Sequence, residues 1–143
     1  MTAAKVLLVD DEIDFTDALA ARMSARGLEV DTASNGREAL DSVQSRHYDV
    51  IVLDLMMPEM DGIETLKRLL AFDPDLQVIM LTGHGSVKQG VEAVKNGAVD
   101  FLEKPTEIEA LMGKIKEAQE TSVQLLEQKL DQKISDIYKK RGW

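Results

Sequence analysis

Three short apolar runs punctuate the chain, and each ends on polar residues with chemistry to offer. Val6-Leu7-Leu8-Val9 leads into Asp10-Asp11-Glu12, Val50-Ile51-Val52-Leu53 into Asp54, and Val78-Ile79-Met80-Leu81 into Thr82-Gly83-His84-Gly85. Unbroken runs of this length, rich in β-branched residues, are the pattern of strands buried on both faces inside a parallel sheet. Two weaker segments bring the number of predicted strands to five. Residues 28–33 alternate Leu28, Val30 and Thr32 with Glu29 and Asp31, as a half-exposed edge strand does, and residues 99–102 form a short run ahead of Glu103-Lys104-Pro105.

Between the strands the apolar period lengthens to that of a helix. Phe15, Ala18, Leu19, Arg22 and Met23 share one face, with Gly27 placed to cap the end. Asn35 and Glu38 have capping-box spacing ahead of Ala39, Leu40 and Val43, in a helix running toward His47. Asp61 and Glu64 repeat that spacing before an inward stripe of Ile63, Leu66, Leu69 and Leu70, which Asp73-Pro74-Asp75 breaks. Ser86 with Gln89 opens a helix carrying Val87, Val91 and Val94, closed by Asn96-Gly97, and Thr106 with Glu109 opens the last one. Its inward stripe is Ile108, Leu111, Ile115 and Ala118.

Strict alternation of strand and helix predicts an α/β fold: a doubly wound (βα)5, flavodoxin-like three-layer sandwich with right-handed crossovers. The common strand order for five units is 2-1-3-4-5, and ligands bind at its switch point between strands 1 and 3. Those are the strands that end in Asp10-Asp11 and Asp54. The compact fold is complete near residue 118, yet helical spacing persists through Leu126, Leu130, Ile134 and Ile137, without Gly or Pro until Gly142. One helix from Thr106 to about Tyr138 would be ~50 Å long at ~1.5 Å per residue. The expected division is therefore 1–118 for the domain and 119–143 for a helical extension. An apolar stripe on an overhang predicts self-association or docking. Lys139-Lys140-Arg141 suits a helix C-terminus.

Composition narrows the classes. Hydrophobic residues make up 44% of the 143, enough for a core, and 26 acidic against 17 basic residues give a formal net charge of −9. That balance argues against direct contact with nucleic acid. The absence of cysteine excludes disulfides, thiolate metal sites and cysteine nucleophiles. No apolar run reaches the ~20 residues of a membrane span. Because Met1-Thr2-Ala3-Ala4-Lys5 runs straight into a strand, no signal peptide and a cytoplasmic location are expected.

Three carboxylates in one crevice repel each other unless a cation neutralises them. Hard oxygen donors in an incomplete set suit Mg2+, which binds through one or two carboxylates, waters and a phosphate. Thr82 and Lys104, at the ends of strands 4 and 5, bring a hydroxyl and an ammonium to the same rim, suited to the spare oxygens of a transferred phosphoryl group. An aspartate can itself accept phosphate as an acyl phosphate.

On these residues, the segment from 5 to about 118 resembles the receiver domain of bacterial two-component response regulators, most of all receivers of the nitrogen-regulation type. The matching features are Asp10-Asp11, Asp54, Thr82 and Lys104-Pro105, each after the expected strand, together with Met57-Pro58 and Asp61-Gly62 after the central aspartate. The resemblance implies that Asp54 is phosphorylated by a sensor histidine kinase or, slowly, by small phosphodonors. It implies Mg2+ (Mn2+ as a substitute) held by Asp11, Asp54 and the Met56 backbone carbonyl, with Asp10 acting through a bound water. Lys104 would pair with a phosphoryl oxygen and Thr82 would move to bond another. Phe101 matches the switch aromatic that turns inward when Thr82 moves, Gly83 leaves room for that motion, and Pro105 would follow a cis peptide bond. Met56 and His84 occupy positions that tune acyl-phosphate lifetime; apolar Met56 cannot orient an attacking water, which predicts a long-lived phosphate. The face of helix 4, strand 5 and helix 5 would be the output surface, for a downstream protein target or a homodimer that also uses the C-terminal helix. No enzyme activity is expected beyond self-phosphorylation and slow dephosphorylation.

The competing reading makes this chain the N-terminal receiver of a larger ATPase-type DNA-binding activator, since residues 81–86 and 100–105 look like receivers fused to such activators. Nothing in these residues reads as an ATPase or a DNA-reading helix. A haloacid-dehalogenase-type phosphatase would want an acid where Met56 stands. A flavodoxin would want hydroxyls in place of Asp10-Asp11-Glu12, and a P-loop protein a glycine-rich run ending in Lys-Ser or Lys-Thr.

Overall fold

The computed structural model describes residues 3–57, 61–83, 87–104 and 107–142. Strands and helices alternate throughout: β1 Lys5–Val9, α1 Ile13–Ala25, β2 Glu29–Ala33, α2 Gly36–Ser45, β3 Val50–Asp54, α3 Gly62–Phe72, β4 Val78–Thr82, α4 Val87–Lys95, β5 Asp100–Glu103 and α5 Ile108–Lys140. All five strands are parallel, in the order β2-β1-β3-β4-β5. The predicted fold class and strand order are those observed.

The reason the three central strands are apolar at every position is visible in how their side chains divide. Leu7, Val9, Ile51, Leu53, Val78 and Met80 face α2, α3 and α4, where Ala39, Val43, Leu66, Leu69 and Ala93 meet them. Their neighbours Val6, Leu8, Val50, Val52, Ile79 and Leu81 face α1 and α5, against Leu19, Met23, Leu111, Ile115 and Ala118. Side chains alternate across a strand, so a sheet covered on both sides must be apolar at odd and even positions alike.

Helix starts follow the predicted caps with local variations. Asn35 Oδ1 accepts from Glu38 N–H at 2.9 Å, while the Glu38 carboxylate takes the N–H and hydroxyl of Ser34 instead of closing the box on Asn35. Those bonds hold the Glu38 carboxyl below its usual range. Asp61 Oδ1 accepts from Glu64 N–H at 2.8 Å, and the Glu64 carboxylate turns outward to Arg68. The starts expected at Ser86 and Thr106 lie outside the described residues.

Several sequence-based faces are adjusted. On α1 the buried residues are Thr16, Leu19 and Met23, with Ala18 and Arg22 exposed. On α4 the expected valines face outward, Val87, Val91 and Val94 being 49%, 42% and 42% exposed, because Gly90 and Ala93 make the contact with the sheet. β5 is shifted by one residue, to Asp100–Glu103. His47 stands beyond the end of α2 and pairs with Asp49 at 3.2 Å, so it does not serve that helix's dipole.

Helix α5 is one continuous element of 33 residues, roughly 50 Å at the usual rise. Its inner stripe is the predicted one, with Ile108, Leu111, Ile115 and Ala118 all buried. Beyond that, Lys129 Nζ reaches Asp75 Oδ2 at 2.6 Å in the turn after α3. The helix therefore stays beside the domain for about three turns longer than the apolar stripe implied. No helix among the described residues is long and apolar enough to cross a membrane.

Candidate functional site

Register carries the acids together. Val9 pairs with Leu53 across β1 and β3, so Asp10 and Asp54, each the next residue along, emerge side by side at the carboxyl edge of the sheet. Asp54 pairs in turn with Leu81, and Thr82 with Glu103, which brings Thr82 and Lys104 to the same edge. This is the crevice where open α/β sheets bind ligands.

Asp10 and Asp54 are buried and Asp11 is exposed, with one carboxylate oxygen of each within 4.8 Å of the others. Lys104 Nζ sits 2.7 Å from Asp10 Oδ2 and 3.4 Å from Asp54 Oδ1. Asp10 Oδ1 also accepts from Glu12 N–H at 3.0 Å, so this one carboxylate both fixes the turn that leads into α1 and holds the lysine. Asp54 Oδ1 receives the Met56 N–H at 3.4 Å.

Burial and the neighbouring Asp10 charge push the Asp54 carboxyl up to about 6, against the opposing pull of the Lys104 ammonium and the Met56 N–H. For Lys104, burial works against the charge, but the bond to Asp10 and the charges of Asp54 and Asp10 outweigh it and raise its pKa. Three carboxylates facing one ammonium leave a deficit of about two positive charges in a largely buried pocket. An all-oxygen donor set with that deficit fits a hard divalent cation.

The remaining predicted residues fall into two groups. Thr82 is buried, and its hydroxyl donates to the Leu102 carbonyl at 3.4 Å, on the β5 side of the pocket. Phe101 is half-buried with its ring against α4, where a Cβ on Gly90 would stand 2.3 Å from the ring. Met56 is 62% exposed at the rim. His84, Pro58, Pro105 and Thr106 lie outside the described residues.

Two participants escaped sequence reasoning. Phe15 places its ring centroid 4.5 Å from Lys104 Nζ, and the Thr16 hydroxyl bonds the Glu12 carbonyl at 2.9 Å, tying down the first turn of α1 beside Asp10. At helical spacing, an aromatic and a threonine give the same signal whether they pack a core or line a site.

Comparison with known proteins agrees with this geometry. The family model for the response regulator receiver domain matches residues 6–116. The transcriptional regulatory protein ZraR of Klebsiella oxytoca is 41% identical over 113 residues, covering 79% of this chain and 26% of that protein. Among solved structures, the receiver domain of NtrX from Brucella abortus superposes with a TM-score of 0.78 at 35% identity, covering 81% of this chain and 98% of that one. A longer NtrX structure from the same organism has a TM-score of 0.80 at 35% identity, covering 95% of this chain and 30% of that one. The chain thus spans about a quarter of the length of the curated relatives it matches. With its strand order, its acid cluster and this match all in agreement, the chain belongs to the receiver domains of two-component response regulators.

Proposed function

We propose that Asp54 accepts a phosphoryl group from a sensor histidine kinase, with Mg2+ held by Asp11, Asp54 and the Met56 carbonyl, and by Asp10 through water. The observation that carries this reading is the position of Asp54: a buried carboxylate at the switch point, flanked by Asp10 and bridged by Lys104. A carboxylate oxygen of Asp54 attacks phosphorus, the P–N bond to the donor imidazole breaks, and the imidazole leaves with the bonding pair. When bound, Mg2+ would offset the cluster's charge and draw electron density from the phosphoryl oxygens. Lys104, already 3.4 Å from Asp54, meets one oxygen of the transferred group. Thr82 exchanges its long bond to the Leu102 carbonyl for a bond to another oxygen. That exchange empties space on the β5 side, and the Phe101 ring moves with it. The chemistry is thus performed on the protein itself, and the output surface is the face of α4, β5 and α5.

Residues 1–118 form the receiver in this reading, and residues 119–143 an extension that pairs copies of the chain or docks a downstream protein. A second reading is favoured by coverage: likeness to the longer NtrX reaches 95% of this chain, against 81% for the isolated NtrX receiver. There the extension is the linker toward an ATPase and DNA-binding portion, and contact with DNA is made outside these residues.

The test is acetyl phosphate with Mg2+ and intact-mass detection on wild type and Asp54→Asn. A Mg2+-dependent gain of one phosphoryl group by the wild type alone is expected. Equal labelling of the variant would move the acceptor elsewhere.

A further inference from the structure

The Lys104 ammonium has an aromatic neighbour as well as the carboxylates. Phe15, in the first turn of α1, is half-buried on the α1/α5 side of the sheet, and its ring centroid is 4.5 Å from Nζ. That Nζ also lies 2.7 Å from Asp10 Oδ2 and 3.4 Å from Asp54 Oδ1, and the lysine side chain is only 18% exposed. A lysine head is a strongly hydrated point charge on a flexible stem, so its position depends on what replaces its water. Two carboxylates replace part of that shell, and the negative face of an aromatic ring replaces another part. The backbone that carries the ring is tied to the site: Glu12 N–H donates to the Asp10 carboxylate at 3.0 Å, and the Thr16 hydroxyl reaches the Asp10 carbonyl at 3.5 Å.

We propose that Phe15 is a positioning residue for phosphoryl acceptance, its ring holding the Lys104 ammonium over the gap between Asp10 and Asp54, where an oxygen of the incoming group arrives. This rests on the reading of Asp54 as the acceptor. Phe15 touches no reacting atom and acts through Lys104. Leucine or methionine at this position would fill much of the same space and keep the core, yet would offer the ammonium no quadrupole. A packing residue and a positioning residue therefore respond differently to the same substitutions.

The experiment uses the full chain with acetyl phosphate and Mg2+, following phosphoprotein by intact mass over time. Phe15→Leu, Phe15→Met and Phe15→Tyr are compared with wild type, and each is repeated in a Lys104→Met background, with thermal melts to confirm folding. Two non-aromatic variants are used so that the comparison does not depend on the folding of one. Phe15→Leu and Phe15→Met are expected to slow labelling about fivefold, with Phe15→Tyr within about twofold of wild type. In the Lys104→Met background the non-aromatic variants should lose nothing further. The Lys104 ε-methylene proton resonances, moved upfield by the ring current in wild type and Phe15→Tyr, should return to ordinary positions in Phe15→Leu. Unchanged labelling by the non-aromatic variants, or an equal loss without Lys104, would make Phe15 a packing residue and overturn the proposal while leaving Asp54 as acceptor. A wild type that takes no phosphoryl group would overturn both.

Discussion

Asp54 is held where its charge is costly, and that cost has a pH signature. In the metal-free protein, burial and then the Asp10 charge raise its carboxyl from 3.8 to about 6, worth about 3 kcal/mol between the two protonation states. The folded chain therefore keeps this proton to a higher pH than the unfolded chain. The contribution of this group to stability is full below about pH 4, falls as pH rises toward 6, and stays lost above that value. Asp54→Asn removes the ionisation. In EDTA at pH 7.5 it should be more stable than wild type by up to about 3 kcal/mol, with the gap closing near pH 4. Urea denaturation of both proteins at the two pH values measures this, and added Mg2+ should stabilise only the wild type. A gap independent of pH would mean that the Asp54 charge is not strained. Asp10, Asp54 and Lys104 were legible in the sequence because each ends a run whose apolar character marks it as a strand. Phe15 was not, because its only sequence signal is helical spacing, and its contact is with a residue at position 104 that no local pattern connects to α1.

At the scale of elements, caps and strand faces were legible because they depend on a few adjacent residues. The outward face of α4 was not, because the contact with β5 is made by a glycine, which carries no hydrophobic signal. Two glycines show how differently such approaches respond to a methyl group. A Cβ on Gly62 would lie 2.5 Å from Leu55 Cα and 2.6 Å from the Asp54 carbonyl, so α3 begins directly on the backbone that presents Asp54, the proposed acceptor. Backbone cannot step aside, and Gly62→Ala should cost about 3 kcal/mol and slow Asp54 labelling. On Gly90 the same methyl would first meet the Phe101 ring, at 2.3 Å. A side chain can move, so Gly90→Ala should cost about 1 kcal/mol, and trimming the ring in Gly90→Ala/Phe101→Leu should recover part of it. Denaturant midpoints for the single and double variants decide the matter. Simple additivity at Gly90 would show that the ring is not what the methyl displaces.

For the whole molecule, the long helix was legible as a length but not as a posture. Nothing in the spacing of Leu126, Leu130, Ile134 and Ile137 separates a turn that leans on the domain from one that leaves it. The structure does so through Leu125 and Leu126, which line a shallow cavity with His47, Tyr48 and Leu76, and through the Lys129–Asp75 pair. An exposed pair of this kind is weak, so the clasp orients the helix more than it anchors it. Past it, Leu130, Ile134 and Ile137 are 52%, 48% and 45% exposed, a stripe that a second copy of the helix would cover. Association must also overcome repulsion between two chains that each carry a net charge of −9. Added salt screens that repulsion and leaves apolar burial intact. Sedimentation equilibrium should therefore show a dimer that tightens between low salt and about 0.5 M NaCl, where the Debye length has fallen to a few ångströms. L130E/I134E should sediment as a monomer at every salt concentration and still accept phosphate on Asp54 at the wild-type rate. A wild type that remains monomeric at high protein and high salt would refute pairing through this helix, and would leave docking of a different protein as the reason for the stripe.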